Sequence, residues 1–231
     1  MLIVLNNKCN FNKQQFIDYI TKLDEEINYE NIILCPSATN IGLCDIQNIK
    51  IGSQNVSEND NGAYTGEVSA EQLKSFGAKY CIVGHSERRK YQKETNENIN
   101  KKIIKLLEKD IIPILCIGET LEERNQNLTD KVIKKEITEA MDNIPIDKQK
   151  KIIIAYEPIW SIGTGIIPTN EEIDQVLGHI KELIPNVKTL YGGSANEKNI
   201  NQLNKCKEID GYLLGGLSLN VNLLKEFIQQ L

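Results

Sequence analysis

Short apolar runs recur along the chain at residues 2–5, 32–35, 49–51, 80–83, 111–117, 152–156, 187–191 and 212–214. Most are rich in Ile, Leu and Val without polar alternation, the pattern of strands buried on both faces in a parallel sheet. Between them lie segments with helical period. Residues 96–107 place Ile99, Ile103, Ile104 and Leu107 on one stripe, and residues 169–184 carry Ile173, Val176, Leu177 and Ile180 behind Asn170 as the cap candidate. A last helical segment covers 219–231, and the helix expected after Cys35 is short. Strand and helix alternate throughout, which predicts parallel strands joined by right-handed crossovers. Eight such units predict an α/β fold, a closed (β/α)8 barrel of eight parallel strands surrounded by helices. A doubly wound open sheet is the alternative that periodicity leaves open. No linker, low-complexity tract or charge block breaks the pattern, so residues 1–231 are expected to form a single domain.

Bulk properties narrow the function. At 231 residues the chain is long enough for a large core, and α/β barrels run to this length as one unit. A net charge of -5 argues against nucleic acid or an anionic membrane as partner. No run approaches a membrane span, and the apolar start at 2–5 is too short for a signal peptide. The six cysteines form no Cys-x-x-Cys pair, which fits reduced, mostly buried thiols and a cytoplasmic location.

In an eight-stranded barrel, chemistry collects where the strands end. Asn6 and Lys8 follow the first run, Gln54 and Asn55 the third, and Gly84, His85, Ser86 and Glu87 the fourth. The fifth ends at Gly118 and Glu119. The sixth ends at Glu157, ahead of a Gly-Thr-Gly loop at 163–165. The seventh and eighth end in Gly192, Gly193 and Ser194 and in Gly215 and Gly216. Taken singly, a Gly after a strand is a turn and a Glu or Lys there is solvated. Taken together, they put an ammonium, an imidazole, a carboxylate and glycine-rich loops on one rim. The two Gly-Gly steps expose backbone N–H groups suited to an anion, where barrels commonly hold phosphate. A loop closing over Glu157 would desolvate it, raise its pKa and make it a stronger base. His85, at a helix start with Ser86 as a possible cap, is expected to stay neutral and donate a hydrogen bond. Lys8 supplies a fixed positive charge where an enediolate would form. His179 falls inside a helix and no second His sits at a strand end, so no metal site and no cofactor are expected.

At these residues the chain resembles the triosephosphate isomerase family along its whole length. The strongest matches are AYEPIWSIGTG at 155–165, VGHSERR at 83–89, YGGS at 191–194 and LGGLSL at 214–219; Asn6-x-Lys8, CIGET at 116–120 and GAYTGE at 62–67 are weaker. The resemblance implies a TIM barrel that interconverts dihydroxyacetone phosphate and glyceraldehyde 3-phosphate through a metal-free enediolate, in glycolysis and gluconeogenesis. It makes Glu157 the base between carbons 1 and 2 and His85 the neutral electrophile. Asn6 and Lys8 would position the anionic substrate, with Glu87 beside Lys8. Gly163, Ser194, Gly215 and Gly216 would offer N–H groups to the phosphate. A lid would run through Trp160, Ile162, Gly163, Thr164 and Gly165, and Ile162 and Leu213 would clamp Glu157 when it shuts. The resemblance further implies a homodimer in which the loop at Thr65 reaches the neighbouring subunit, with Glu67, Arg88 and Cys9 at the interface.

The chain departs from the family at Asn7, where an aromatic is usual, at Cys9, where Met is usual, and at Ile166 and Ile167, where the lid hinge is usually small and polar. It is also short for the family. None of these changes touches a residue expected to react. Two rival readings carry sequence expectations of their own. A sugar-phosphate epimerase on a phosphate-binding barrel would need metal-ligating His and Asp at strand ends, which are missing. A catalytically inactive barrel kept as a binding module would have lost Glu157, His85 or Lys8, and all three are present.

Overall fold

The computed structural model describes residues 1–46, 48–162, 164 and 166–231. Among these, eight strands form one closed parallel barrel in sequence order, β1 (Leu2–Asn6), β2 (Ile32–Cys35), β3 (Lys50–Ser53), β4 (Tyr80–Val83), β5 (Ile112–Ile117), β6 (Ile153–Tyr156), β7 (Lys188–Tyr191) and β8 (Gly211–Leu214). β1 closes the ring by pairing with both β2 and β8. The open-sheet alternative is thereby removed. The helices are α1 (Lys13–Glu26), α2 (Ala70–Ser75), α3 (Ser86–Tyr91), α4 (Asn96–Glu108), α5 (Leu121–Asn125), α6 (Thr129–Ala140), α7 (Ile146–Gln149), α8 (Asn170–Leu183), α9 (Ile200–Leu203) and α10 (Val221–Ile228).

The continuous apolar runs are explained by two cores. One face of each strand points into the barrel, where Val4, Ile33, Ile82, Ile114, Ile153, Leu190 and Leu213 pack with Cys35, Cys116 and Ala155. The other face, with Ile3, Leu5, Ile32, Leu34, Val83, Leu115 and Ile154, meets the helices in a larger core. Strands so placed have no solvent side, and polar alternation has no place in them. Each fully buried Ile or Leu contributes about 1.5–3 kcal/mol relative to exposure.

Local expectations needed correction in three places. On α4 the buried stripe is Ile99, Ile103 and Leu106, with Lys102 also buried, while Ile104 and Leu107 sit at its margin. Lys102 belongs to the buried side because it reaches Glu94 and Asn55 Oδ1, the latter at 2.8 Å. The cap of α8 is Thr169, not Asn170: its hydroxyl accepts from Glu172 N–H while the Glu172 carboxylate accepts from Thr169 N–H. That reciprocal pair satisfies two orphan donors at the helix start. After β2 the chain makes only a short 3-10 turn, Ile41–Leu43. The last helix begins at Val221, capped by Asn220. Among the described residues, no helix is long and apolar enough to cross a membrane.

Candidate active site

The C-terminal ends of β1, β4, β6, β7 and β8 surround a cavity of about 280 Å³. Asn6, Lys8, His85, Glu157, Ile162, Ser194, Leu213, Gly215 and Gly216 all line it. These are residues that the sequence placed on one rim. Gly163 and Gly165, expected in the phosphate site and the lid, lie outside the described residues.

β1 delivers the ammonium through an unusual backbone. Lys8 has φ 51°, in the left-handed region that non-glycine residues seldom occupy. Three bonds hold it there: Lys8 N–H donates to Asn6 Oδ1 at 3.0 Å, and Gln54 Nε2 donates to the Lys8 and Cys35 carbonyls, both at 2.9 Å. Lys8 Nζ then lies 2.7 Å from Glu87 Oε1. Glu87 thus stands beside Lys8 as expected. Gln54, noted only as a polar residue after a strand, proves to carry the Lys8 turn. Asn7 is buried: its amide donates to Ser218 Oγ at 3.3 Å, and Ser218 Oγ donates to the Asn6 carbonyl at 3.1 Å. Where the family usually has an aromatic, a polar chain therefore ties the first rim segment to the loop after β8.

β4 runs through Gly84, at φ 70°, into His85. The cap of α3 is His85 itself rather than Ser86: its Nδ1 accepts from Glu87 N–H at 3.2 Å. That bond assigns the neutral tautomer with its proton on Nε2, the atom facing Glu157 Oε1 at 3.0 Å. Burial pushes the His85 pKa down, but the Glu157 carboxylate outweighs it and the net displacement is upward.

Glu157 is buried, with Oε2 accepting from Ser86 N–H at 3.1 Å. Burial pushes its pKa up, as expected for a base in a closing site. Its bonds to His85 and Ser86, with Lys8 nearby, act the other way and leave it below the ordinary carboxylate value. The raised pKa expected from the sequence is therefore not the state of this arrangement. A carboxylate that left these donors while staying out of water would keep only the upward push, and its basicity would rise.

The segment after Glu157 is anchored at its start. Trp160 Nε1 donates to Glu119 Oε1 at 2.9 Å, Tyr156 OH donates to the same oxygen at 3.1 Å, and Arg124 lies 4.3 Å over the indole. Ser161 Oγ donates to the Ile166 carbonyl at 2.6 Å, and Thr164 Oγ1 lies 3.1 Å from the Trp160 carbonyl. Ser194 spends its hydroxyl on the Ser161 carbonyl at 2.7 Å, linking the loop after β7 to this segment. Ile166 and Ile167 are exposed. Glu119, Gln54 and Arg89 are the polar residues whose work was missed in the sequence. Each followed a strand or sat inside a quoted motif, and that position was the available signal.

Three of the residues expected at an interface gather beside the site. Cys9 is exposed and lines a second cavity of about 420 Å³ with Glu67, Glu87 and Arg88. Thr65 is exposed on the loop after β3. Arg88 donates from Nε to Glu94 Oε1 at 3.3 Å, so its guanidinium is held within its own chain. Among the described residues, no group of three or more His, Cys, Asp or Glu side chains is placed to hold a metal ion. His179 lies on α8, away from the rim.

The comparisons with known proteins agree with this geometry. The family model described as triosephosphate isomerase matches residues 1–231. The triosephosphate isomerase of Alkaliphilus metalliredigens is 42% identical over 229 residues, covering 94% of this chain and 92% of its own length. That of Mycoplasmopsis pulmonis is 40% identical over 245 aligned positions, covering 99% and 96%. That of Dictyoglomus thermophilum is 40% identical over 219 residues, covering 89% and 88%. A closed eight-stranded barrel, a rim cavity that gathers Asn6, Lys8, His85 and Glu157, and a family match from end to end lead to one conclusion: the chain belongs to the triosephosphate isomerase family.

Proposed function

We propose that this barrel, acting as one domain, interconverts dihydroxyacetone phosphate and glyceraldehyde 3-phosphate with Glu157 as the carbon base. The observation that carries the assignment is the single cavity lined by Glu157, His85, Lys8 and Asn6 on one side and by Gly215, Gly216 and Ser194 on the other. The phosphate sits against the backbone of Ser194, Gly215 and Gly216. Its anionic charge is met by exposed N–H groups.

With the phosphate fixed, Glu157 moves from His85 and Ser86 towards the substrate and removes the proton from carbon 1 of the ketone. The electron pair of the broken C–H bond forms the carbon–carbon double bond, and negative charge passes to the oxygen on carbon 2. His85 Nε2–H and Lys8 Nζ stabilise that oxygen, and Asn6 orients it. His85 moves a proton between the two oxygens. Glu157 returns its proton to carbon 2, which gives the aldehyde, and both residues end as they began. Glu87 holds Lys8 in place at 2.7 Å. Closure over Trp160 to Gly165, with Ile162 and Leu213 against Glu157, excludes water while the enediolate exists. Proton transfer by a carboxylate and a neutral imidazole in a closing barrel is the established chemistry of this family, so the logic is shared rather than new.

The working form in this proposal is a cytoplasmic homodimer. The Thr65 loop of each subunit enters the other's cavity beside Cys9, with Glu67 and Arg88 flanking it. What supports this is the adjacency of that 420 Å³ cavity to Lys8 and His85, which line it too. A coupled assay of glyceraldehyde 3-phosphate isomerisation, run with and without chelator, tests the reaction. Turnover unchanged by chelator is expected, and no turnover by the folded protein would refute the assignment.

A further inference from the structure

Under the rim, outside the barrel wall, lies a charge pair that the proton transfers do not use. Glu136 on α6 is largely enclosed, with 13% of its side chain exposed, and Arg89 on α3 has 17%. The two approach at 3.3 Å. Glu136 Oε2 accepts from the Gly118 N–H at 2.9 Å. Arg89 spreads its donors across three segments: Nε to the Gly84 carbonyl at 2.8 Å, Nη2 to the Cys116 carbonyl at 3.2 Å and Nη1 to Asn96 Oδ1 at 2.6 Å.

Every backbone group in this network adjoins a reacting residue or its support. Gly84 is bonded directly to His85. Gly118 touches Glu157: a Cβ built on it would lie 1.8 Å from the Glu157 carbonyl oxygen, so that no other residue fits without a shift of the backbone. Glu157 N–H donates to the Ile117 carbonyl at 2.7 Å, one residue before Gly118. The pair therefore spans the ends of β4, β5 and β6 and joins the backbone under the imidazole to the backbone under the carboxylate.

We propose that Glu136 is a positioning residue of the isomerisation, which in its ionised form holds Arg89 and Gly118 and so sets the spacing between His85 and Glu157. The inference rests on the roles given above to those two residues. A charge-assisted bond is about twice as strong as a neutral one, so a protonated Glu136 would hold Arg89 far less firmly. Displacement of reacting groups by about 1 Å can lower a rate ~10²-fold, so a fraction of that displacement is enough to register. The charge state also falls in the working range. Burial pushes the Glu136 pKa up to about 7, against the opposing pull of Arg89 and the Gly118 N–H. Glu123 from α5 and Glu157 at the end of β6 add to the upward push. Arg124 and Glu172, from α5 and α8, pair with each other. The ionised, position-holding form accordingly gains population as pH rises through neutrality.

The test is the ratio of wild-type kcat to Glu136→Gln kcat across about pH 6 to 8.5. Glutamine keeps an acceptor for Gly118 but carries no charge. Ionisation of the substrate phosphate affects both enzymes alike and cancels in the ratio. The ratio should be near unity at the acid end and rise about 3- to 10-fold with a midpoint near 7, with KM little changed, because positioning acts on the transition state. Glu136→Asp should retain the pH-dependent step. A ratio flat across the range, at unity or above it, overturns the proposal and leaves Glu136 a structural residue. Should the glutamine variant fail to fold, the wild-type kcat and Glu136→Asp decide: absence of an inflection near neutrality in both overturns it. Failure of the underlying assignment would look different, since Glu157→Asp would then retain full kcat whatever Glu136 does.

Discussion

Glu157→Asp separates the chemistry from the fold most cleanly. The substitution keeps the charge and withdraws the carboxylate by one methylene. In the native arrangement that carboxylate reaches His85 Nε2 at 3.0 Å and Ser86 N–H at 3.1 Å. Its Cγ packs on Gly192, where a Cβ would approach it to 3.0 Å, so the shorter side chain cannot regain its reach by moving the neighbouring loop without opening a gap. Loss of one buried methylene destabilises by about 0.8 kcal/mol, with a further cavity term that brings the total to about 1 kcal/mol. A misplacement near 1 Å in a proton transfer lowers the rate ~10²-fold, which at ~1.4 kcal/mol per decade is about 2.7 kcal/mol. The catalytic effect is thus larger than the structural one, and the variant should fold. The phosphate contacts at Ser194, Gly215 and Gly216 are untouched, so KM and inhibitor affinity should stay within about threefold while kcat falls ~10²-fold. The coupled assay in both directions measures kcat and KM, and a thermal melt checks the fold. A folded variant with kcat within about threefold of wild type would remove Glu157 from the carbon step, and a loss confined to KM would make it a binding residue.

Three further outcomes are expected. Lys8→Ala deletes the charge beside the enediolate and leaves Glu87 without its 2.7 Å partner, so kcat/KM should fall by at least ~10²-fold and a dianionic inhibitor should bind more weakly; normal turnover in the folded variant would make Lys8 a surface lysine. Trp160, the only tryptophan, lies at the start of the lid between Glu119 and Arg124, so inhibitor binding should shift its emission; a titration that saturates by activity with flat fluorescence would argue against a moving lid. A bulky thiol reagent should inactivate the enzyme through exposed Cys9 with loss of dimer on a sizing column, and Cys9→Ala should protect where Cys206→Ala does not; equal sensitivity of wild type and Cys9→Ala would move attention to Cys206.

The barrel was legible because its strands have no solvent face. Unbroken Ile, Leu and Val in runs such as 152–156 are needed when Ile153 and Ala155 fill the interior while Ile154 and Tyr156 meet the helices. The rim was legible for the complementary reason: Asn6, Lys8, His85 and Glu157 interrupt apolar runs at the same end of each unit. Less legible was anything set by side-chain direction. Both Ile104 and Leu106 fit a helical stripe on paper, and only the buried Lys102 with its Glu94 partner settles which side of α4 is covered. The direction of the Glu157 pKa depends on where the carboxylate points, since burial and its donors pull opposite ways. Glu136 carried no signal at all: it sits between Lys135 and Ile137 on a helix rich in surface charge, and nothing in that pattern distinguishes it from Glu139, which is exposed.

The polar clusters beneath the rim share one physical feature. Glu94 with Arg88 and Lys102, Glu136 with Arg89, and Glu119 with Tyr156, Trp160 and Arg124 each bury a carboxylate under a segment that enters the site. Such burial is a weak source of stability, because desolvating the ions offsets most of their attraction and an apolar replacement of similar volume is often as stable. Leucine packing would serve a barrel that had only to fold. What charge pairs provide and apolar contacts do not is direction: a guanidinium bonded at once to the Gly84 and Cys116 carbonyls fixes two strand ends relative to each other. Among the described residues, Glu94 Oε2 and Glu119 Oε2 have no hydrogen-bond partner, so in those two carboxylates a single oxygen carries the bonds, while Glu136 bonds through both. The Glu94 and Glu119 clusters are thus less fully bonded than stability alone would favour, and the placement of all three clusters near Lys8, His85, Glu157 and the Trp160 segment is accounted for by the geometry those residues need.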